Sequence, residues 1–187
     1  MAKKILSKKD KFAETFVKTE RFVKGNAVNF RVDRVRLPNG RAATREYLDH
    51  PGAAGVLAFL DTETILMVRQ YRYPVGETTL ELPAGKLGAR ESPRTCIKRE
   101  LIEETGYSAG RIRPLLSYWP TAAFANEVLH LFVADRLTKG QAKPDEDEFI
   151  DVVKISFKRA LRLVRSGRIK DSKTVIGLLA AAVRRLT

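Results

Sequence analysis

The sequence predicts a mixed α/β domain, a sheet sandwiched by helices, preceded by a small antiparallel β subdomain. Three observations predict it. Short segments alternate apolar and polar residues with the period of a strand. Helix start and stop signals are interleaved with them, and an Asn-Gly turn joins two such segments ahead of the first strongly apolar one. With 187 residues, 44% hydrophobic and 30% charged, the chain is sized for one domain with a small appendage. The expected division is an N-terminal β subdomain over 1–50 and a main domain over 51–187.

The elements follow in order. Residues 10–24 suit either a short helix or an extended arm. Residues 27–36 alternate, Leu37-Pro38-Asn39-Gly40-Arg41 supplies a turn, and 42–49 completes a hairpin. Strands are expected at 52–60 and 64–69 around an Asp61 turn, and at 78–82, ended by Pro83. Ser92-Pro93 opens a helix, with serine as N-cap and proline in the first position, and Gly106 closes it. Further strands are expected at 113–118, 127–134 and 150–156. Two helices follow, at about 157–166 and 172–186, parted by Ser166-Gly167.

Composition excludes several classes. One cysteine rules out an internal disulfide, and two histidines without a second thiol rule out a four-ligand Cys/His zinc site. No apolar run approaches the roughly 20 residues that cross a bilayer, and residues 1–10 carry no secretory signal pattern. The expectation is a cytoplasmic protein with no membrane partner. The net charge of +13 sits at the two ends, because residues 25–157 hold eighteen basic and eighteen acidic side chains. Basic ends suit RNA, steer any polyanion including a nucleotide, or form a solvated surface. Charge alone selects none of these.

Chemistry concentrates between Glu81 and Gly106. At 100° per residue, Glu100 and Glu104 fall about 40° apart on one side of the helix, with Glu103 on the adjoining side. Ile97 and Leu101 lie beside them, so the acids flank the apolar stripe instead of facing away from it. Two carboxylates about 4 Å apart repel by on the order of 4 kcal/mol at an effective dielectric of 20. A hard divalent cation is the natural compensation, since Mg²⁺ takes carboxylate oxygens and keeps waters. Gly85 permits close backbone approach, which makes the Ala84 carbonyl a further candidate ligand, and Arg99 is spaced to pair with Glu103. Taken alone, the same residues also describe a surface helix with ordinary ion pairs.

Gly85, five residues, Glu91, seven residues and then Arg99-Glu100-Leu101-Ile102-Glu103-Glu104-Thr105-Gly106-Tyr107 resembles the Nudix box, Gly-x5-Glu-x7-Arg-Glu-U-x-Glu-Glu-x-Gly-U. Only the last U, usually aliphatic, is replaced, by Tyr107. Gly40, Arg45-Glu46, His50-Pro51-Gly52-Ala53, Arg69-Gln70-Tyr71-Arg72 and Glu81-Leu82-Pro83-Ala84-Gly85 resemble the ADP-ribose pyrophosphatase branch, as do the runs at 127–134, 145–150 and 169–176. The resemblance covers about residues 20 to 180. It implies a Nudix α/β/α sandwich with a mixed sheet, and N-terminal strands exchanged between subunits of a domain-swapped homodimer. It also implies Mg²⁺-dependent hydrolysis of nucleoside diphosphate sugars, with Mn²⁺ as a substitute cation.

Roles carry over by position. Ala84 through its backbone oxygen, Glu100 and Glu104 match metal ligands, with Glu103 as a fourth and a catalytic acid of the box. In the acidic loop Glu148 matches a further metal ligand and Glu146 the proposed general base, and either of the two can be the base. Arg45 and Arg72 match substrate-contacting arginines, with a sheet-edge salt bridge as the alternative for each, and Glu127 either lines the substrate site or buttresses its strand. Phe22, Phe30 and Tyr47 are candidates to stack on the base. One departure stands out: the branch usually carries Pro-Gly in the loop where this chain reads Trp119-Pro120-Thr121-Ala122-Ala123-Phe124-Ala125-Asn126. That loop bears on substrate preference, not on the metal site.

Other readings are weaker. Gly85-Lys86 lacks the earlier glycine and the hydroxyl residue of a P-loop. His130 sits in an alternating strand as a packed histidine, and Cys96 lies on the inward face of its helix as a small hydrophobe. Two rival functions remain: a pyrophosphohydrolase of RNA 5′ ends, and a non-catalytic RNA-binding module using the basic ends.

Overall fold

The computed structural model describes residues 10–142 and 149–186. The chain forms two compact units. Among the described residues, one takes in 10–50 together with Thr121–Glu127, and the other the rest.

The smaller unit is a three-stranded antiparallel sheet of β1 (Thr15–Val23), β2 (Asn29–Arg36) and β3 (Ala42–Asp49). The 10–24 region therefore contains a strand, not a helix. All of β1 is exposed, and its pairing with β2 is broken by two register shifts. Gly40, at φ 83°, makes the expected β2–β3 turn. Its amide donates to the Leu37 carbonyl at 2.9 Å. Asp33 is the buried acid that ties the strands together. Its carboxylate accepts from Thr19 of β1 at 2.8 Å, Tyr47 of β3 at 2.8 Å and Arg31 of β2 at 3.1 Å. The 121–127 segment is joined to β3, with the Leu48 amide donating to the Phe124 carbonyl at 2.9 Å and the His50 amide to Asn126 Oδ1 at 2.8 Å.

The larger unit holds β4 (Ala53–Phe59), β5 (Thr64–Arg72), β6 (Glu77–Glu81), β7 (Ala84–Lys86), β8 (Tyr107–Tyr118), β9 (Leu129–Lys139) and β10 (Asp151–Ser156), with α1 (Pro93–Thr105), α2 (Phe157–Arg165) and α3 (Ser172–Leu186). The sheet is mixed: its order is β10-β5-β4-β9-β8, with β6 on β5 and β7 on β4, and only β4 and β9 are parallel. Every residue of β4 is buried. Ala54, Val56 and Ala58 face Ile97 and Leu101 of α1. Leu57 and Phe59 join Ala160 of α2 and Leu178 of α3. Period-two alternation thus places one helical layer on each side of the sheet.

β4 is also where the sheet forks. Ala53–Gly55 pair with β7 and Ala58–Phe59 with β5. Between them the Val56 amide donates to the Pro83 carbonyl at 2.9 Å. Three residues are too few to show a strand period, so β7 is absent from the sequence reading. β8 starts at Tyr107 instead of 113, and β9 runs to Lys139 instead of 134. Among the described residues, no helix is long and apolar enough to cross a membrane.

Candidate active site

The helix that carries the box is set by its ends. Ser92 Oγ accepts from the Thr95 amide at 3.1 Å, Pro93 fills the first turn, and Gly106 at φ 75° donates to the Ile102 carbonyl at 2.8 Å. Its buried face comprises Cys96, Ile97, Glu100, Leu101, Glu104 and Thr105, so both flanking acids are taken inward with the apolar residues.

Those two acids meet the same short strand. Glu104 Oε2 accepts from the Ala84 amide at 3.0 Å. The Glu100 carboxylate lies over Gly85 so closely that a Cβ there would stand 1.8 Å from Oε1. Any side chain at 85 would occupy the carboxylate's place, which is the physical reason for glycine. Glu100 and Glu104 are 8% and 4% exposed, a like-charged pair withdrawn from water.

Arg99 is their counter-charge. Its Nη1 stands 2.6 Å from Glu100 and 2.8 Å from Glu103, while Nε and Nη2 bond Glu91 at 3.1 and 3.0 Å. The Glu91 carboxyl falls to about 2, held there by Arg99 and then by the Gly88 amide. Glu103 is turned to Arg99 and is partly exposed.

Among the described residues no three acidic, imidazole or thiol side chains form a ready-made metal cluster. What converges is two buried carboxylates on Ala84–Gly85, whose Ala84 carbonyl is a third hard oxygen. Together with the cradle at Gly85, this donor set fits a hard divalent cation that retains water ligands. Glu146 and Glu148, expected in the acidic loop, lie outside the described residues.

Arg72 is on β5, and its fork is bidentate on Glu81, Nε to Oε1 at 2.9 Å and Nη2 to Oε2 at 2.7 Å. Glu81 is buried and also takes the Lys173 ammonium, which reaches Asp171 at 3.0 Å. Burial would raise the Glu81 carboxyl, but the bonds from Arg72 and Lys173 prevail and bring it down to about 2. The salt bridge weighed for Arg72 is present, but neither Glu81 as its partner nor Lys173 follows from the sequence. Lys173 lies in the 169–176 run quoted above, but no spacing rule links it to Glu81.

Arg45 and Glu127 belong to the smaller unit. Arg45 Nε bonds Glu14 Oε2 at 2.8 Å, and Glu127 stands 3.7 Å from His50 Nδ1. Phe22 is exposed, Phe30 is half-buried, and Tyr47 is tied to Asp33. His130 pairs with Ser117 at 2.8 Å. Cys96 is fully buried, and burial pushes its thiol up to about 12, which makes it a packing residue.

These features coincide with what sequence and structure comparisons find. The NUDIX domain model matches residues 49–175, and the chain belongs to the Nudix family. It is 40% identical over 167 residues to the ADP-ribose pyrophosphatase of Bacillus subtilis (strain 168), covering 88% of this chain and 90% of that protein. It is 44% identical over 169 residues to the methanol dehydrogenase activator of Bacillus methanolicus, covering 89% and 91%. A GDP-mannose pyrophosphatase of Salmonella paratyphi B is 36% identical over 142 residues, covering 71% and 74%. In fold it is similar to the crystal structure of an ADP compounds hydrolase, with a TM-score of 0.78 at 18% identity, over 92% of this chain and 93% of that one.

Proposed function

We propose that this protein hydrolyses the diphosphate bond of ADP-ribose and other nucleoside diphosphate sugars, with Mg²⁺, to a nucleoside monophosphate and a sugar phosphate. The observation that carries the proposal is the seating of Glu100 and Glu104 on Ala84–Gly85, in a chain whose relatives include pyrophosphatases of ADP-ribose and GDP-mannose. When bound, Mg²⁺ supplies Lewis acidity toward the diphosphate oxygens, with Mn²⁺ as its substitute. Glu100, Glu104 and the Ala84 carbonyl hold it. Arg99 orients Glu100 and Glu103 and offsets their repulsion. Arg72 and Arg45 present guanidinium forks to the diphosphate, exchanging carboxylate partners for phosphate oxygens. Glu127 is a further substrate-binding candidate, the alternative being that it buttresses its strand. Glu146 or Glu148 takes the proton from the attacking water, and Glu148 adds a metal ligand. Glutamine in place of the glutamate that acts as general base is expected to lower kcat by roughly 10²–10⁴ with little change in KM.

The reading is of a cytoplasmic homodimer that exchanges its N-terminal strands. Its support is the exposure of Phe16, Val17, Phe22 and Val23 on β1, an apolar surface that a second chain would cover. The test of substrate is a panel with Mg²⁺: ADP-ribose, ADP-, GDP- and UDP-sugars, nucleoside triphosphates, dinucleotides and triphosphorylated RNA, with products weighed and rates compared as kcat/KM. ADP-ribose and the diphosphate sugars are expected to lead. Turnover of RNA alone would replace this function with 5′-end processing, and turnover of nothing, with salt-sensitive RNA binding, would leave a binding module.

A further inference from the structure

The larger unit carries a concavity that shares no residue with the box. It is a cleft of about 590 Å³ between the turn after β4, the strands β8 and β9, and the end of α3. Gly55 of β4 is paired to Ala84. Phe59 and Leu60 at the cleft lie four to five residues further along the strand, on the order of 15 Å away.

The lining has two characters. Its apolar part is Phe59, Leu60, Pro114, Leu115, Val133 and Ala181, and its basic part is Arg111, Arg113, Arg136 and Arg184. Two carboxylates join them, and both are engaged. Asp61 accepts the Glu63 and Thr64 amides at 2.8 and 2.7 Å, closing its turn. Asp135 accepts Arg111 Nε at 2.8 Å and Arg113 Nη2 at 3.4 Å, holding two guanidinium groups side by side. Four arginines against two aspartates leave two positive charges in excess. Arg136 has φ 56°, a left-handed conformation that a non-glycine residue rarely adopts. Gly110 faces it, and a Cβ there would stand 3.2 Å from the Arg136 Cβ. Backbone strain of this kind persists where surrounding structure enforces it, often at a ligand site.

We propose that this cleft is a second site, for a nucleoside monophosphate. The flat ring lies on the apolar lining, and the phosphate, near two negative charges at neutral pH, meets the excess positive charge of the arginine side, where Arg184 also donates to the Leu115 carbonyl. The volume falls within the range of small-ligand pockets. It holds one nucleotide, where a nucleic-acid strand needs an open track.

The test is an NMR titration of the isotope-labelled full-length protein with AMP, without added Mg²⁺. Amide shifts at Leu60, Thr62 and Arg136 are expected to saturate as one set, distinct from any set within 84–104, and adenosine is expected to bind the cleft at least ten-fold more weakly. Arg113→Gln and Arg136→Gly should each weaken the cleft set by about ten-fold or more, the loss of one charge-assisted contact. Glycine accepts the φ at 136 without strain, so that variant keeps its Tm, and neither change alters ADP-ribose turnover measured without AMP. Cleft amides that stay still in millimolar AMP would overturn the proposal, as would a set that both variants retain. An oligoribonucleotide that saturates the cleft where AMP does not would overturn it in favour of RNA. The readout is binding, so it stands or falls separately from the hydrolytic reading.

Discussion

Glu100→Gln or Glu104→Gln removes one negative charge and keeps the shape that packs against Ala84–Gly85. Each is expected to leave circular dichroism unchanged and lower kcat by orders of magnitude at saturating Mg²⁺; wild-type rates in both would contradict the assignment. Glu81 makes a prediction about pH. Its carboxyl is lowered from 4.5 to about 2 in the fold, so its contribution is complete above about pH 4.5 and is lost as pH falls toward 2. The contribution is on the order of 3 kcal/mol. Denaturant unfolding measured from pH 6 to pH 2 should show that decline in the wild type. Glu81→Gln should start less stable, because Lys173 loses its buried partner, and decline less steeply, with Glu91 supplying the remaining slope. The contrast between these sites explains what was legible. Glu100 and Glu104 share a helix, where spacing fixes direction, so their inward placement was readable. Lys173 and Glu81 are 92 residues apart, and their meeting depends on the packing of α3 under the sheet.

For elements, the clearest signals were chemical punctuation. Ser92, Pro93 and Gly106 bounded α1, and Asn39-Gly40 placed the β2–β3 turn, because caps and left-handed turns admit few residue types. Elements without punctuation were left open, missed or cut short. β7 is three residues long, β1 is interrupted by register shifts, and β8 begins in a stretch containing Gly110. Gly106 carries a test of its own. At φ 75°, an added Cβ would stand 2.7 Å from the Ala142 backbone nitrogen, and backbone cannot move aside as a side-chain end can. Gly106→Ala should therefore cost more than about 1 kcal/mol and lower Tm by more than roughly 2–4 °C, read by calorimetry.

At the scale of the whole molecule, the layered sheet was legible because β4, α2 and α3 carry strong apolar patterns and α1 is bounded by its caps. The inclusion of 121–127 in the smaller unit was not, because its ties are a backbone bond from Leu48 to Phe124 and the Asn126 side chain on Asp49 and His50, residues more than 70 positions apart that no local spacing links. The assembly prediction concerns the exposed β1. A strand with Phe16 and Phe22 more than half exposed is marginal in water as an isolated sheet edge. Light scattering at micromolar concentration should give twice the 21.0 kDa of one chain, and a value of one chain would exclude the dimer.

The parallel pairing of β4 with β9 also sets a timetable for synthesis. Ala53 pairs with Leu129 and Ala58 with Ala134, so the first strand leaves the ribosome some 76 residues before its neighbour. At roughly 5–20 residues per second, the uncharged run Ala53–Phe59 waits about 4–15 s with one edge bare. Slower translation between 60 and 129 lengthens that wait, and the fraction lost to aggregation is expected to grow with it.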